Sequence, residues 1–442
     1  MISQLFQKLF ASQLRRNISS GLIVSLINFT ITAISYPIYL HYLGYEKYGI
    51  WVILSVVLTF AQFGNLGIGP ALTKFVAEDY KKDNTRSVNE FVSTAIFTLI
   101  VSGGCVLFVI LLFRTQIISL FKLDGENFSL ALWLFPYVGL LSLYLFFVRA
   151  IVATLTGLGR MDLSNYTQTA GRIIGIVTAF SLLKSGFGVV SLLVAYFISE
   201  FFSHIICIGL IKRITSIRFL QFTMFDLRTM KKLVKFGGEL LGANALLMLL
   251  TPFNKVMISR YVGIESVTVY EIAYNSTMYI RSIAAAGLQA LMPEISRLST
   301  QANSNIMRIR HIYSQSVKLI SLLGIPLFAV VFVFATPLLK LWLQDGFNPI
   351  LPMTFKIMLI GAFISLLSIP AHFTIMGLGY SGKIFLSHAI ISTLNVIFVI
   401  IFIIFISNLS VNTFVISATL GIFGSTFYLL KQYNILVRHP NF

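Results

Sequence analysis

Acidic residues are scarce in this chain: 15 Asp and Glu stand against 33 Lys and Arg in 442 residues, and charge of both signs makes up only 11%. A soluble domain carries about a quarter charged residues, so too few are present to solvate a globular surface. Cysteine is nearly absent as well. Cys105 and Cys207 both fall inside apolar runs, where a free thiol behaves as a small hydrophobe, and this excludes a disulfide framework and thiol chemistry. Also missing are a Gly-rich phosphate loop, a cluster of His, Cys, Asp or Glu at metal-ligand spacing, and a nucleophile motif. Without them no metal, no cofactor and no catalysis is expected.

What fills the chain instead is apolar sequence. Hydrophobic residues make up 57% and the mean hydropathy is +0.87. Runs of about 20 apolar residues are long enough to cross a bilayer at about 1.5 Å per residue, and twelve are expected, at 20–40, 48–76, 88–113, 129–154, 164–184, 187–211, 236–259, 266–292, 313–335, 351–376, 384–406 and 411–432. The fold class is therefore an all-α polytopic membrane protein. The first run is too long for a signal-peptide core and no small-residue cleavage pattern follows it. Ahead of it, Leu5, Phe6, Leu9 and Phe10 share one helical face, with Arg15 and Arg16 behind them; an interfacial helix and a disordered start both fit.

The cations have a pattern. With the N-terminus inside, twenty-one Lys and Arg fall in cytoplasmic segments and six in outer loops, an asymmetry that follows the positive-inside rule and places both termini in the cytoplasm. This accounts for the net charge of +18 without nucleic acid. The longest polar stretch, "IKRITSIRFLQFTMFDLRTMKKLVK", has seven basic residues and one Asp, and its charge would hold it on an anionic leaflet. The expected division is an interfacial segment 1–19, a first half 20–211, a basic linker 212–235, a second half 236–432 and a tail 433–442.

One phrase is written twice. "HYLGYEKYGIW" from His41 returns as "RYVGIESVTVY" from Arg260, with Gly44 and Gly263 219 residues apart; "TLTGLGR" from Thr154 returns as "TIMGLGY" from Thr374, with Gly157 and Gly377 220 residues apart. Six spans per repeat is an even number, so both six-helix lobes enter from the same side, a parallel pseudo-two-fold repeat. Two such bundles can enclose a cavity that opens to either side as they rock, which is transporter architecture.

Span 2 contains Gly64, Gly67, Gly69 and Pro70, with a softer counterpart at Gly287 and Pro293 in span 8; a hinge and simple close packing both fit this pattern. Charges inside spans are costly, about 2.5–3.5 kcal/mol at the bilayer centre on insertion scales, and should not face lipid. Arg281 lies mid-span in helix 8, and its repeat mate is Gln62. These two, with Arg172, Arg149 and Lys318, are the candidate cavity residues, although Arg149 and Lys318 sit where a long cation can snorkel to the surface. Lys255 and Glu271 should meet near the outer ends of spans 7 and 8, as a gate or as a static pair. Glu200 has His204 one turn on, a pair suited to proton exchange, or else it pairs with Arg172. An excess of cations implies an anionic cargo, and the planar fork of arginine suits phosphate.

"YPIYLHYLGYEKYGIWVIL", "GNLGIGPALTKFVAE" and "LMPEISRLS" together resemble the polysaccharide flippases, the Wzx-type O-antigen members in particular, of the multidrug/oligosaccharidyl-lipid/polysaccharide exporter superfamily. The resemblance covers the whole chain. It implies two lobes that open alternately to each side of the bacterial inner membrane, a lipid-bilayer setting, and a cargo of oligosaccharide on undecaprenyl diphosphate. It further implies a polysaccharide polymerase and a chain-length regulator as partners, and H+ or Na+ as the driving ion. Many relatives carry an acid in span 2 where this chain reads "FGNLG", so Asn65 stands in its place and leaves coupling there open. Two other readings fit the span count: a multidrug/cation antiporter of the same fold, which would want an acidic cavity, and a membrane polysaccharide polymerase, which would want a long outer loop or a catalytic His/Asp pair.

Overall fold

In the computed structural model the described residues are 2–217, 221–286, 288, 295, 298 and 306–438, with backbone alone for 2–19. Every regular element among them is helical. The face proposed for Leu5 to Arg16, most of the "LMPEISRLS" phrase, Gly287 and Pro293 lie outside the described side chains.

The first helix, α1 (Ile2–Ala61), is interrupted at Gly44, whose φ is 66°. The interruption reverses the chain. Tyr48 has its ring 6.0 Å from that of Tyr36 and 5.6 Å from that of Tyr39, whereas a straight helix would carry residues nine to twelve apart some ~13–18 Å along its axis. After a 3-10 turn (Gln62–Asn65) come α2 (Ile68–Tyr80), α3 (Thr85–Leu112), α4 (Arg114–Ser119), α5 (Gly125–Gly157), α6 (Met161–Lys184), α7 (Val190–Ile214), α8 (Leu227–Tyr261) and α9 (Ile264–Ala286). The remaining elements are α10 (Ile306–Val333), α11 (Ala335–Leu343), α12 (Leu351–Leu367), α13 (Ile369–Gly377), α14 (Ser381–Phe405) and α15 (Val411–Tyr433).

Among the described residues eight helices are long and apolar enough to cross a membrane, or nine with one bent pair counted as a span. One of the eight, Ile23–Asn65, is the hairpin just described and supplies two passes. Two helices miss the hydropathy threshold: α6, with Asp162, Asn165, Gln168 and Arg172, and α9, with Glu265, Glu271, Asn275 and Arg281. Their polar residues lower the hydropathy, and with them the described part of each of the twelve apolar runs lies mainly on helix.

The sequence repeat is also a hydrogen-bond repeat. At the end of α5, Gly159 (φ 81°) donates its N–H to the Thr156 carbonyl at 3.0 Å and Arg160 donates to Leu155 at 3.3 Å. After α13, Gly379 (φ 87°) donates to Met376 at 3.0 Å and Tyr380 to Ile375 at 3.1 Å. Both are the paired closing bonds of a Schellman motif, which needs a left-handed residue where glycine avoids the Cβ penalty. Small residues close the last helix pair of each half in the same way. A Cβ on Gly171 of α6 would meet the Ser203 hydroxyl and the Ser199 carbonyl of α7, and one on Gly421 of α15 would meet the Ile391 carbonyl of α14. Such contacts let membrane helices approach where lipid gives no hydrophobic drive.

The chain divides into two compact units, Met1–Ala243 and Asn244–Phe442. The basic linker packs with the first. Gln221 donates its N–H to the Ser93 hydroxyl at 3.3 Å, Asp226 donates its N–H to Thr94 at 3.2 Å, and Phe225 lies against Phe97 with ring centroids 4.6 Å apart. In the first turn of α8, the Thr229 hydroxyl donates to Glu90. Further along the same helix, Phe236 receives the Lys74 ammonium 4.1 Å from its ring centroid. Helix α8 thus begins in one unit and ends in the other.

Candidate functional site

In the first unit, span 2 does not run as one helix. The 3-10 turn Gln62–Asn65 ends at Leu66 and Gly67, both left-handed (φ 50° and 67°), and α2 restarts at Ile68. The four residues proposed as a hinge play different parts here. A Cβ on Gly64 would strike Val106, and one on Gly67 would lie 2.1 Å from the Gly237 carbonyl oxygen of α8. Gly69 has open space at its Cβ position. Pro70 stands in the first turn of α2, where its missing N–H has no helical partner to lose. Gln62 is exposed at the break, and the Asn65 Oδ1 atom is buried with no hydrogen-bond partner among the described residues.

Three helices bring the charged residues of this unit together. Arg149 on α5 and Arg172 on α6 act electrostatically on Glu200 of α7, and all three act on Tyr196. Both arginines are exposed and Glu200 is half-buried. Glu200 forms no ion pair with Arg172 among the described residues, so the pairing considered for it is not made. His204 does not bond Glu200 either. Its Nδ1 meets the Tyr144 hydroxyl at 2.8 Å, and the Tyr144 ring packs on Phe197 at 5.3 Å.

The second unit holds a closed pair and an open cation. Lys255 on α8 and Glu271 on α9 meet at 2.9 Å, with side-chain exposures of 11% and 15%. Beside them Asn395 of α14 donates to Asn254 at 3.0 Å, and Asn254 donates to the Tyr270 hydroxyl at 3.3 Å. The Asn395 Oδ1 atom is left buried without a described partner. One side of Arg281, the Nε–H, donates to the neutral Ser365 hydroxyl of α12, and among the described residues no carboxylate pairs with it. Lys318 is exposed on α10.

Tyr144, Asn254, Asn395 and Ser365 were not singled out in the sequence. The signal was available for the two asparagines. Each interrupts an apolar run, and an unpaired amide at membrane depth is costly in the same way as a charge. Chemically, a guanidinium that stays charged at any attainable pH and has only a neutral partner leaves net positive charge to be met by an anion. Among the described residues no group of three or more His, Cys, Asp or Glu is placed to hold a metal ion.

A model of the polysaccharide biosynthesis protein family matches residues 14–299. A Shigella flexneri protein named for O-antigen transport is 22% identical over 351 residues, which span 78% of this chain and 80% of that one. Among solved structures, the inward-facing form of a multidrug resistance MATE transporter of the MOP superfamily aligns with a TM-score of 0.73 at 15% identity, over 94% of this chain and 98% of the other. The lipid II flippase MurJ in an inward closed conformation aligns with a TM-score of 0.72 at 16% identity, over 96% and 87%. At such identities the structures establish a common fold.

Proposed function

This chain belongs to the polysaccharide biosynthesis protein family, and on that premise we propose that it is a flippase. Its cargo is an oligosaccharide repeat unit on undecaprenyl diphosphate, carried across the bacterial inner membrane by alternating access for O-antigen or a related surface polysaccharide. The observation that supports this most is the sign of the unpaired charge. Arg281 has a neutral partner, and Arg149 and Arg172 make no ion pair among the described residues. A diphosphate supplies the oxygens that guanidinium groups bind two at a time. The left-handed break at Leu66 and Gly67 supports a pivot in span 2, and the Lys255–Glu271 pair is suited to opening and closing with the cycle. Glu200 and His204 are the groups offered for H+ or Na+ coupling, and a polymerase and chain-length regulator would take the product.

Replacing Arg281 with Ala is expected to abolish surface polysaccharide at unchanged protein level, with lipid-linked repeat units accumulating on the cytoplasmic leaflet. Normal polysaccharide from that variant removes Arg281 from the mechanism. The likeness to a multidrug transporter supports a second reading, a drug/cation antiporter. Such a protein needs acids for its cations, and raised drug tolerance on expression would favour it.

A further inference from the structure

A cavity of about 240 Å³ lies in the first unit where α2 turns into α3 and α7 gives way to the linker. It is lined by Tyr80, Thr85, Val88, Ile214, Thr215, Ser216 and Ile217. The lining has two characters. Val88 and Ile217 are buried and form an apolar floor beside Ile214, while the hydroxyls of Tyr80, Thr85 and Ser216 supply donors. Within two residues of these stand six cations, Lys81, Lys82, Arg86, Lys212, Arg213 and Arg218, the last outside the described residues. Counted the same way the acids are Glu78, Asp79, Asp83 and Glu90; Glu78 pairs with Lys74 at 3.9 Å, Glu90 accepts the Thr229 hydroxyl, and Asp79 is engaged by the Ser87 hydroxyl at 2.5 Å and by Lys82 at 3.7 Å. Arg86, Lys212 and Arg213 are exposed and make no ion pair among the described residues.

The turn that carries this cavity is fixed before any ligand arrives. Ser87 is held by its N–H to the Asn84 side chain at 3.1 Å as well as by its hydroxyl to Asp79. On the other wall the Thr215 hydroxyl donates to the Ile211 carbonyl at 3.0 Å and accepts the Ile217 N–H at 3.4 Å. The cavity is smaller than the ~300–1,000 Å³ of sites for drug-sized ligands, so a sugar nucleotide or lipid-linked glycan is too large for it. It also lies at the start of α3 and the end of α7, ends that the positive-inside pattern assigns to the basic side, and the Tyr80 ring there is half-exposed, as an interfacial tyrosine would be.

We propose that this cavity binds the phosphate headgroup of an anionic phospholipid of the cytoplasmic leaflet. Arg86, Lys212 and Arg213 meet the phosphate, the hydroxyls bond its oxygens, and Val88, Ile214 and Ile217 take the glycerol and the first methylenes. Because Thr215 to Ile217 open the linker, bound lipid also holds the linker on the first unit. This assignment does not depend on what the chain carries.

The test uses the full chain, purified in detergent, stripped of lipid and read by native mass spectrometry with phosphatidylglycerol or phosphatidylcholine added. Wild type is expected to retain phosphatidylglycerol at least tenfold more tightly. The R86Q/K212Q/R213Q variant should lose that preference, and K231Q/K232Q, further along the same linker, should keep it. All five positions are cationic and lie outside the helix-packing contacts described, and equal melting temperatures confirm folding. Retained preference in the triple variant overturns the site, as does equal loss in the linker control, which would assign the preference to linker charge at large. Displacement of the lipid by millimolar inorganic phosphate would assign the cavity to free phosphate instead.

Discussion

Gln62 and Arg281 occupy matching places in the two repeats, yet the backbone around them differs. From Gln62 onward the first unit forms a 3-10 turn and two left-handed residues, while from Arg281 to Ala286 the second unit continues as α-helix. The glycines that break span 2 have helix-compatible partners there, with Ile283 against Gly64 and Ala286 against Gly67. The repeat therefore preserves the turns between helices, where backbone geometry admits few residues, and lets the helix interiors diverge. One half has a break and a neutral side chain; the other has a rigid helix and a cation.

Moving the cation gives the largest effect. R281Q should eliminate transport, read as loss of the surface polysaccharide ladder, and Q62R/R281Q should not restore it, because the broken backbone at Gln62 aims a side chain differently from a regular helix. Restoration would show that the two positions are interchangeable and would end the contrast. Next, Lys255→Met leaves Glu271 buried and unpaired, with an expected loss of about 3–5 kcal/mol in stability, and K255M/E271M should recover most of it; thermal melts of the three proteins in one detergent decide this. Third, Gly67→Ala meets both a left-handed φ and the Gly237 carbonyl, which together should cost about 2–5 kcal/mol. Gly44→Ala, at φ 66° and ψ 179° with open space around it, should cost about 1–3 kcal/mol from backbone strain alone, and equal melting temperatures for the two would mean that the break is not held by α8.

The smallest effect concerns pH. Asp226 accepts the Thr229 N–H at 2.7 Å, and this bond holds its carboxyl below the usual carboxylate range. A lowered folded value means that the stabilisation is fully present above about 3.9, the ordinary aspartate value, and disappears as pH falls through the folded value. The protection factors of amides at the start of α8, with exchange corrected for its intrinsic pH dependence, should thus be flat from pH 5 to 8 and fall only at stronger acid, with D226N insensitive over the same range. A change near neutrality would point to another group.

Much of the scaffold was legible because it is written in local rules. Apolar run length gives the spans, Gly44 and Gly159 announce left-handed turns, and the Gly/Pro cluster of span 2 announces its break. The Lys255–Glu271 pair could be foreseen because two adjacent spans placed opposite charges at one depth. Contacts that join distant segments were not legible. Thr229 reaches Glu90 across 139 residues and Ser365 reaches Arg281 across 84, and nothing in either neighbourhood names its partner. The two alternatives for Glu200, exchange with His204 or pairing with Arg172, stayed open for the same reason: depth along a helix can be read from sequence but not the rotation that decides which side chain faces which.

Because α8 starts on one unit and finishes on the other, chimeras between related chains have a preferred seam. A crossover at residue 212 or 236, where the polar stretch invites one, would strand the anchors of the linker on foreign partners, Thr229 away from its own Glu90 or Gly237 away from its own Gly67. A crossover after Ala243 keeps both donor halves whole, and hybrid proteins joined there should accumulate where those joined upstream are degraded.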